Sequence, residues 1–151
     1  MKKMWAWLVD YTGTPVIFFV LSGFMVFFFV RKNLYEEALL FTVIFFVTTS
    51  LIALLKIFFH VCRPRKATIH LNSYAFPSGH AASSTFFVLT TILLLHGHVP
   101  DTIVYVIGAI GFITIGIISI SRVVLRVHTP LQVIAGLVLG VATPLLVLTF
   151  F

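Results

Sequence analysis

Residues 102–121 read TIVYVIGAIGFITIGIISIS, twenty positions without a charge, and Arg122 follows at once. A bilayer core of about 30 Å is crossed by about 20 apolar residues of helix, so this stretch predicts a transmembrane helix that ends on a cation. Working outward, the same reading applies to Tyr11–Val30 (twenty residues without a charge), Ala38–Leu55 (eighteen) and Leu131–Phe151 (twenty-one). Ser78–Leu95 is uncharged apart from His80. The expected fold class is all-α, a single membrane-embedded domain over 1–151 built as a bundle of five transmembrane helices. Strands are excluded because the runs do not alternate with period two, and a membrane barrel needs more strands than the chain can supply.

Composition agrees. Hydrophobic residues make up 60% of the 151 positions and charged residues 9%, against about 25% charged in soluble domains. Such a chain has too little polar surface to coat a water-soluble globule. The net charge of +6 comes from Lys and Arg set beside membrane-length runs, which points to lipid or phosphate and away from nucleic acid. The one cysteine, Cys62, excludes an internal disulfide. Residues 1–10 (MKKMWAWLVD) read as an interfacial helix with Trp5 and Trp7 at headgroup depth. Pro15, Pro77 and Pro130 fall where helices would begin. The phenylalanines at 18, 19, 24, 27, 28, 29, 41, 45 and 46 read as lipid-facing filler. Gly136 and Gly140 form a G-x-x-x-G pair, expected to pack inside the bundle, with Ala81, Ala82, Ser83 and Ser84 serving the same close approach on the third helix.

Counting crossings puts the loop after the second helix (56–77) and the loop after the fourth (121–130) on one membrane face. That face collects Lys56–Pro64 (KIFFHVCRP), Pro77–His80 (PSGH) and Ser121–His128 (SRVVLRVH). Lys56, Arg63 and Arg122 are candidate phosphate ligands, because guanidinium forks and ammonium point charges neutralise phosphoryl oxygens. Arg65, Lys66 and Arg126 read as snorkelling headgroup cations. Pro77-Ser78-Gly79-His80 opens a helix whose unpaired N–H groups aim at anions; Gly79 permits close backbone approach and Ser78 adds a hydroxyl. His80 and His128 can divide phosphoryl transfer, one imidazole attacking phosphorus and the other managing the leaving-group and water protons. His60, His70, His96 and His98 lack such company and read as interfacial, the last two on the opposite face. Neither a cofactor nor a metal is expected, since Asp10, Glu36, Glu37 and Asp101 do not cluster.

The three stretches resemble the signature of the type 2 phosphatidic acid phosphatase family, related to vanadium haloperoxidases and bacterial acid phosphatases. That signature runs K-x6-R-P, then P-S-G-H, then S-R-x5-H-x3-D. The chain has Lys56…Arg63-Pro64, then Pro77-Ser78-Gly79-His80, then Ser121-Arg122…His128, in that order over residues 56–132. The resemblance implies His128 as nucleophile, His80 as general acid, and Lys56, Arg63, Ser78, Gly79 and Arg122 as phosphate ligands in a metal-independent site. Two departures stand out. Membrane members of the family typically have six spanning helices, and five are counted here, with one missing ahead of the first motif. Gln132 occupies the usual Asp position; its carbonyl can accept the imidazole N–H and fix the tautomer but supplies no charge. The H-x3-Q form is similar to that of dolichyl diphosphatases and glucose-6-phosphatases.

The expectation is therefore an integral-membrane lipid phosphatase acting through a phosphohistidine. A polyprenyl diphosphate is the favoured substrate, with phosphatidic acid or phosphatidylglycerol phosphate as the alternative. A catalytically weak lipid-binding relative is the competing class. Lys and Arg at 2, 3, 56, 63, 65, 66, 122 and 126 share the active face, against Arg31 and Lys32 opposite. The positive-inside rule would make that face cytoplasmic, but three of the eight are candidate ligands, which confounds the count, and bacterial relatives commonly act on the outer side. The expectation is a plasma (inner) membrane protein with an extracytoplasmic site.

Overall fold

The computed structural model describes residues 15–62 and 74–151. They form five helices: α1 Pro15–Arg31, α2 Tyr35–Phe59, α3 Gly79–Leu95, α4 Asp101–Val124 and α5 Pro130–Phe150. The expected interfacial helix over 1–10, together with Arg63, Pro64, Arg65, Lys66 and His70, lies outside the described residues. α2, α4 and α5, at 25, 24 and 21 residues, are long and apolar enough to cross a membrane. α1 and α3 have 17 residues each, about 25 Å of helix, still within the range that spans a bilayer. The chain is an all-α integral-membrane bundle.

Two helices run beyond their uncharged stretches. α2 takes in Glu36 and Glu37 in its first turn and Lys56 in its last; α4 takes in Asp101 and Arg122. Acidic groups near an N-terminus and cations near a C-terminus complement the helix dipole. These charges therefore extend the helices that an uncharged-run criterion cuts short. Pro130 opens α5 as expected, preceded by Thr129 as N-cap. Pro77 stands two residues before the start of α3, whose N-cap is Ser78.

α3 is the central helix, in contact with each of the other four, and its broadest contact is with α5. The sequence shows why. A Cβ at Gly136 would lie 2.5 Å from the Ser78 carbonyl oxygen, and one at Gly140 would lie 2.6 Å from the Ala82 carbonyl oxygen and 2.7 Å from Thr85 Cβ. Glycine lets the two backbones touch, as small-residue pairs do between membrane helices. The G-x-x-x-G pair thus packs within the bundle, against Ala81 and Ala82. Deeper in the membrane, the hydroxyls of Thr48 on α2 and Thr143 on α5 lie 2.8 Å apart, one donating to the other, while the accepting hydroxyl can donate to the carbonyl four residues back.

Contrary to the expectation from sequence, the phenylalanines are not all lipid-facing. Phe19, Phe24, Phe27 and Phe46 face outward, but Phe18, Phe29 and Phe41 are buried. Phe29 and Phe41 join Ala38, Leu94, Leu95 and Val104 in an apolar core. α1 and α2 each pack against α3, so one side of each must be core, and a run of phenylalanines cannot announce which. That core closes the end of the bundle holding the α1–α2 and α3–α4 connections. There His98 Nε2 lies 2.7 Å from Glu37 Oε1. His96 and His98 therefore sit opposite the three motifs, as the count of crossings requires.

Candidate active site

The other end of the bundle is polar. It gathers the last turn of α2, the N-terminus of α3, the last turn of α4 and the turn into α5. Lys56 reaches from α2 to the start of α3: its Nζ lies 3.9 Å from the point where a Cβ of Gly79 would stand. A side chain at position 79 would fill space that now separates the ammonium from the helix terminus. The same Nζ donates to the Tyr74 carbonyl at 3.2 Å.

Ser78 is fully buried as the α3 N-cap, yet its side chain makes no capping bond. Its Oγ has no hydrogen-bond partner among the described residues. A buried hydroxyl left unpaired costs about 1–3 kcal/mol, a cost that a bound anion at this helix terminus would relieve. The Ser78 N–H donates to the main-chain carbonyl of Gln132 at 3.0 Å, which ties the second motif to the third. His80 occupies the first turn of α3, half-buried.

Arg122 is completely buried. Its Nε donates to Ser121 Oγ at 3.2 Å, and that hydroxyl donates to the Ile118 carbonyl. The Arg122 carbonyl accepts from Val127 N and His128 N. Arg126 completes this reversal with a left-handed φ of 55° and stays exposed. The turn after α4 thereby folds His128 back into the bundle, where it is 3% exposed. His128 Nδ1 lies 2.8 Å from the Ala75 carbonyl oxygen. A carbonyl carries no proton, so Nδ1 donates, and the neutral ring keeps its lone pair on Nε2.

By resemblance, the Gln132 carbonyl can accept the N–H of that imidazole. In the structure Gln132 caps a helix instead. Its Oε1 accepts from Thr129 N at 2.9 Å, and Gln132 N donates to Thr129 Oγ1. This is a capping box at the start of α5. Gln132 faces its own helix N-terminus because a residue three positions into a helix is well placed to reach back to the cap. Sequence reasoning missed Tyr74 and Ala75. Both act through main-chain carbonyls, which leave no side-chain signature. Of the sequence-expected site residues, Lys56, Ser78, Gly79, His80, Arg122, His128 and Gln132 are all at this end; Arg63 is outside the described residues.

Comparison with known proteins places the chain. The PAP2 superfamily model matches residues 36–151. Phosphatidylglycerophosphatase B of Bacillus subtilis (strain 168) is 31% identical over 132 residues, covering 83% of this chain and 61% of that protein. The chain thus spans about three fifths of the length of this curated relative. The crystal structure of a transmembrane PAP2 type phosphatidylglycerolphosphate phosphatase, also from Bacillus subtilis, matches with a TM-score of 0.80 at 27% identity. That match covers 96% of this chain and 74% of the solved one.

Proposed function

The chain belongs to the PAP2 superfamily, and from that premise we propose that it removes phosphate from a membrane lipid through a phosphohistidine. The observation that carries this reading is the buried Ser78 hydroxyl, without a partner among the described residues, at a helix N-terminus that also receives the Lys56 ammonium. Such a constellation has its polar groups arranged for an anion. Arg122 and, by resemblance, Arg63 complete the phosphate-binding set.

In the mechanism, His128 Nε2 attacks phosphorus as the bond to the lipid oxygen breaks, and His80 donates a proton to that oxygen. His80 then takes a proton from water. The resulting oxygen nucleophile cleaves the P–N bond, releasing inorganic phosphate and restoring both rings. The hydrogen bond from His128 Nδ1 to Ala75 supports this role by leaving Nε2 as the nucleophilic nitrogen.

For the substrate, phosphatidylglycerol phosphate ranks first, because both relatives carry that activity in their names. A polyprenyl diphosphate ranks second. The H-x3-Q form favours it by resemblance, a support weakened by the engagement of Gln132 in a helix cap. We place the site on the extracytoplasmic face of the plasma membrane. Labelling exposed Cys62 in intact cells with a membrane-impermeant maleimide tests this, and protection until lysis would reverse it.

The deciding experiment is phosphate release by the purified protein from phosphatidylglycerol phosphate, phosphatidic acid, a prenyl diphosphate and glucose 6-phosphate. Release from the first with inhibition by vanadate is expected, and His128→Ala should abolish release while the protein stays folded. Vanadate binding without release from any substrate would favour a lipid-binding relative.

A further inference from the structure

The chain just before the second motif belongs to no motif, yet it holds two of the site's side chains. Consecutive carbonyls face them: Tyr74 O accepts from Lys56 Nζ at 3.2 Å and Ala75 O from His128 Nδ1 at 2.8 Å. Lys56 comes from α2 and His128 from the turn before α5, so this short segment links side chains from two separate elements. The segment is itself anchored to the end of α2 in three ways. Ala75 N donates to Val61 O at 2.8 Å. The Phe76 ring packs edge-on against Phe59, with centroids 4.9 Å apart and planes at 70°. The Tyr74 ring packs against His60 at 4.7 Å, also at 70°. His60 can present its ring there because it terminates α2 in a left-handed conformation, φ 47°. Ala75 is completely buried between these anchors.

We propose that Tyr74–Phe76 is a positioning strap: the aromatic pairs Phe59–Phe76 and His60–Tyr74 hold the 74 and 75 carbonyls where they orient Lys56 and His128 for phosphoryl transfer. The strap residues touch no substrate. Their effect runs through the ring of His128, whose tautomer a main-chain carbonyl sets in place of a carboxylate. A carbonyl carries no formal charge, so its fixed position is what it contributes. Loosening the strap should therefore act on turnover before it acts on folding.

The kinetic arm of the test rests on the phosphatase reading; a spectroscopic arm does not. In histidine-15N-labelled wild-type protein, with the His128 signal assigned by its loss in His128→Gln, the neutral ring should be the Nδ1–H tautomer. Finding Nε2–H there would overturn the proposal, whether or not any lipid is hydrolysed. Phe76→Ala and Phe59→Ala should each lower kcat per folded molecule about tenfold, since small misplacements of reacting groups are costly. In both, the His128 signal should move towards mixed tautomers. The double variant should be no worse than either single one, because both remove the same contact. Phe76→Tyr, which keeps the ring, should restore kcat. Wild-type kcat in both alanine variants, or additive losses in the double variant, would refute the strap. If the alanine variants fail to fold, the wild-type tautomer still decides. If wild-type protein hydrolyses nothing, the phosphatase reading fails and the tautomer measurement stands apart from it.

Discussion

Replacing Gly136 with alanine tests how closely the bundle must pack for the site to form. The added methyl would stand 2.5 Å from the Ser78 carbonyl oxygen, 3.1 Å from Ala81 Cβ and 3.3 Å from Ala82 N. Ordinary contact begins near 3.4 Å, so the methyl is about 0.9 Å too close to a backbone atom that has no rotamer to escape into. α5 must then move away from α3 at the level of Ser78. The hydrogen bond from Ser78 N to the Gln132 carbonyl, now 3.0 Å, lies on that same contact and would lengthen. His128 sits four residues before Gln132 and would shift with it. Overpacking of this kind costs about 1–3 kcal/mol, and a misplacement near 1 Å can cost about a hundredfold in rate. Opposing this, alanine is the better helix former by up to about 1 kcal/mol. Gly116, which has nothing within 4 Å of its would-be Cβ, isolates that gain. Gly136→Ala is expected to lower turnover about a hundredfold and to reduce thermal stability in detergent, while Gly116→Ala leaves both unchanged or slightly better. Gly140→Ala should lose comparable stability but less turnover, since its clash falls one turn deeper, on Ala82 and Thr85. Equal turnover in the position-136 and position-116 variants would refute the claim that this contact sets the site.

Three further outcomes follow from other contacts. Gln132→Ala removes half of the capping box and should cost about 1 kcal/mol in an unfolding titration, whereas Gln132→Glu, which keeps an acceptor at that position, should retain wild-type stability and turnover. Loss of turnover in a stable Glu variant would assign Gln132 a role beyond capping. Thr48→Val breaks the hydroxyl pair with Thr143 and should cost about 0.6 kcal/mol, typical of hydrogen bonds between membrane helices, with turnover preserved. His98→Ala removes the partner of Glu37 at the far end of the bundle. A partly exposed pair is worth at most about 1 kcal/mol, so phosphate release should stay within about twofold of wild type.

Much of the candidate site was legible because its expected chemistry resides in side chains at fixed spacing. Lys56, Ser78, Gly79, His80, Arg122 and His128 announce themselves as cations, anion donors and imidazoles at the ends of apolar runs. The parity of the crossings alone put them on one face. The pairing of Gly136 with helix α3 was equally readable, since only small residues permit that approach. The tilt of one helix face towards its neighbours was not: Phe18, Phe29 and Phe41 look the same in sequence as Phe19, Phe24 and Phe27, yet they are buried while the others face outward.

Sequence by itself determined that this chain lives in a bilayer, where its apolar helices run, and which of the described charged and imidazole groups share one end. Those facts follow from hydrocarbon thickness and from the cost of placing charge within it. Only the tertiary structure decided which groups meet them. Gln132 turned to its own helix terminus, and the acceptor for His128 came from Ala75, fifty-three positions earlier in the chain. Main-chain carbonyls are identical at every residue, so the one that meets an imidazole is selected by folding alone.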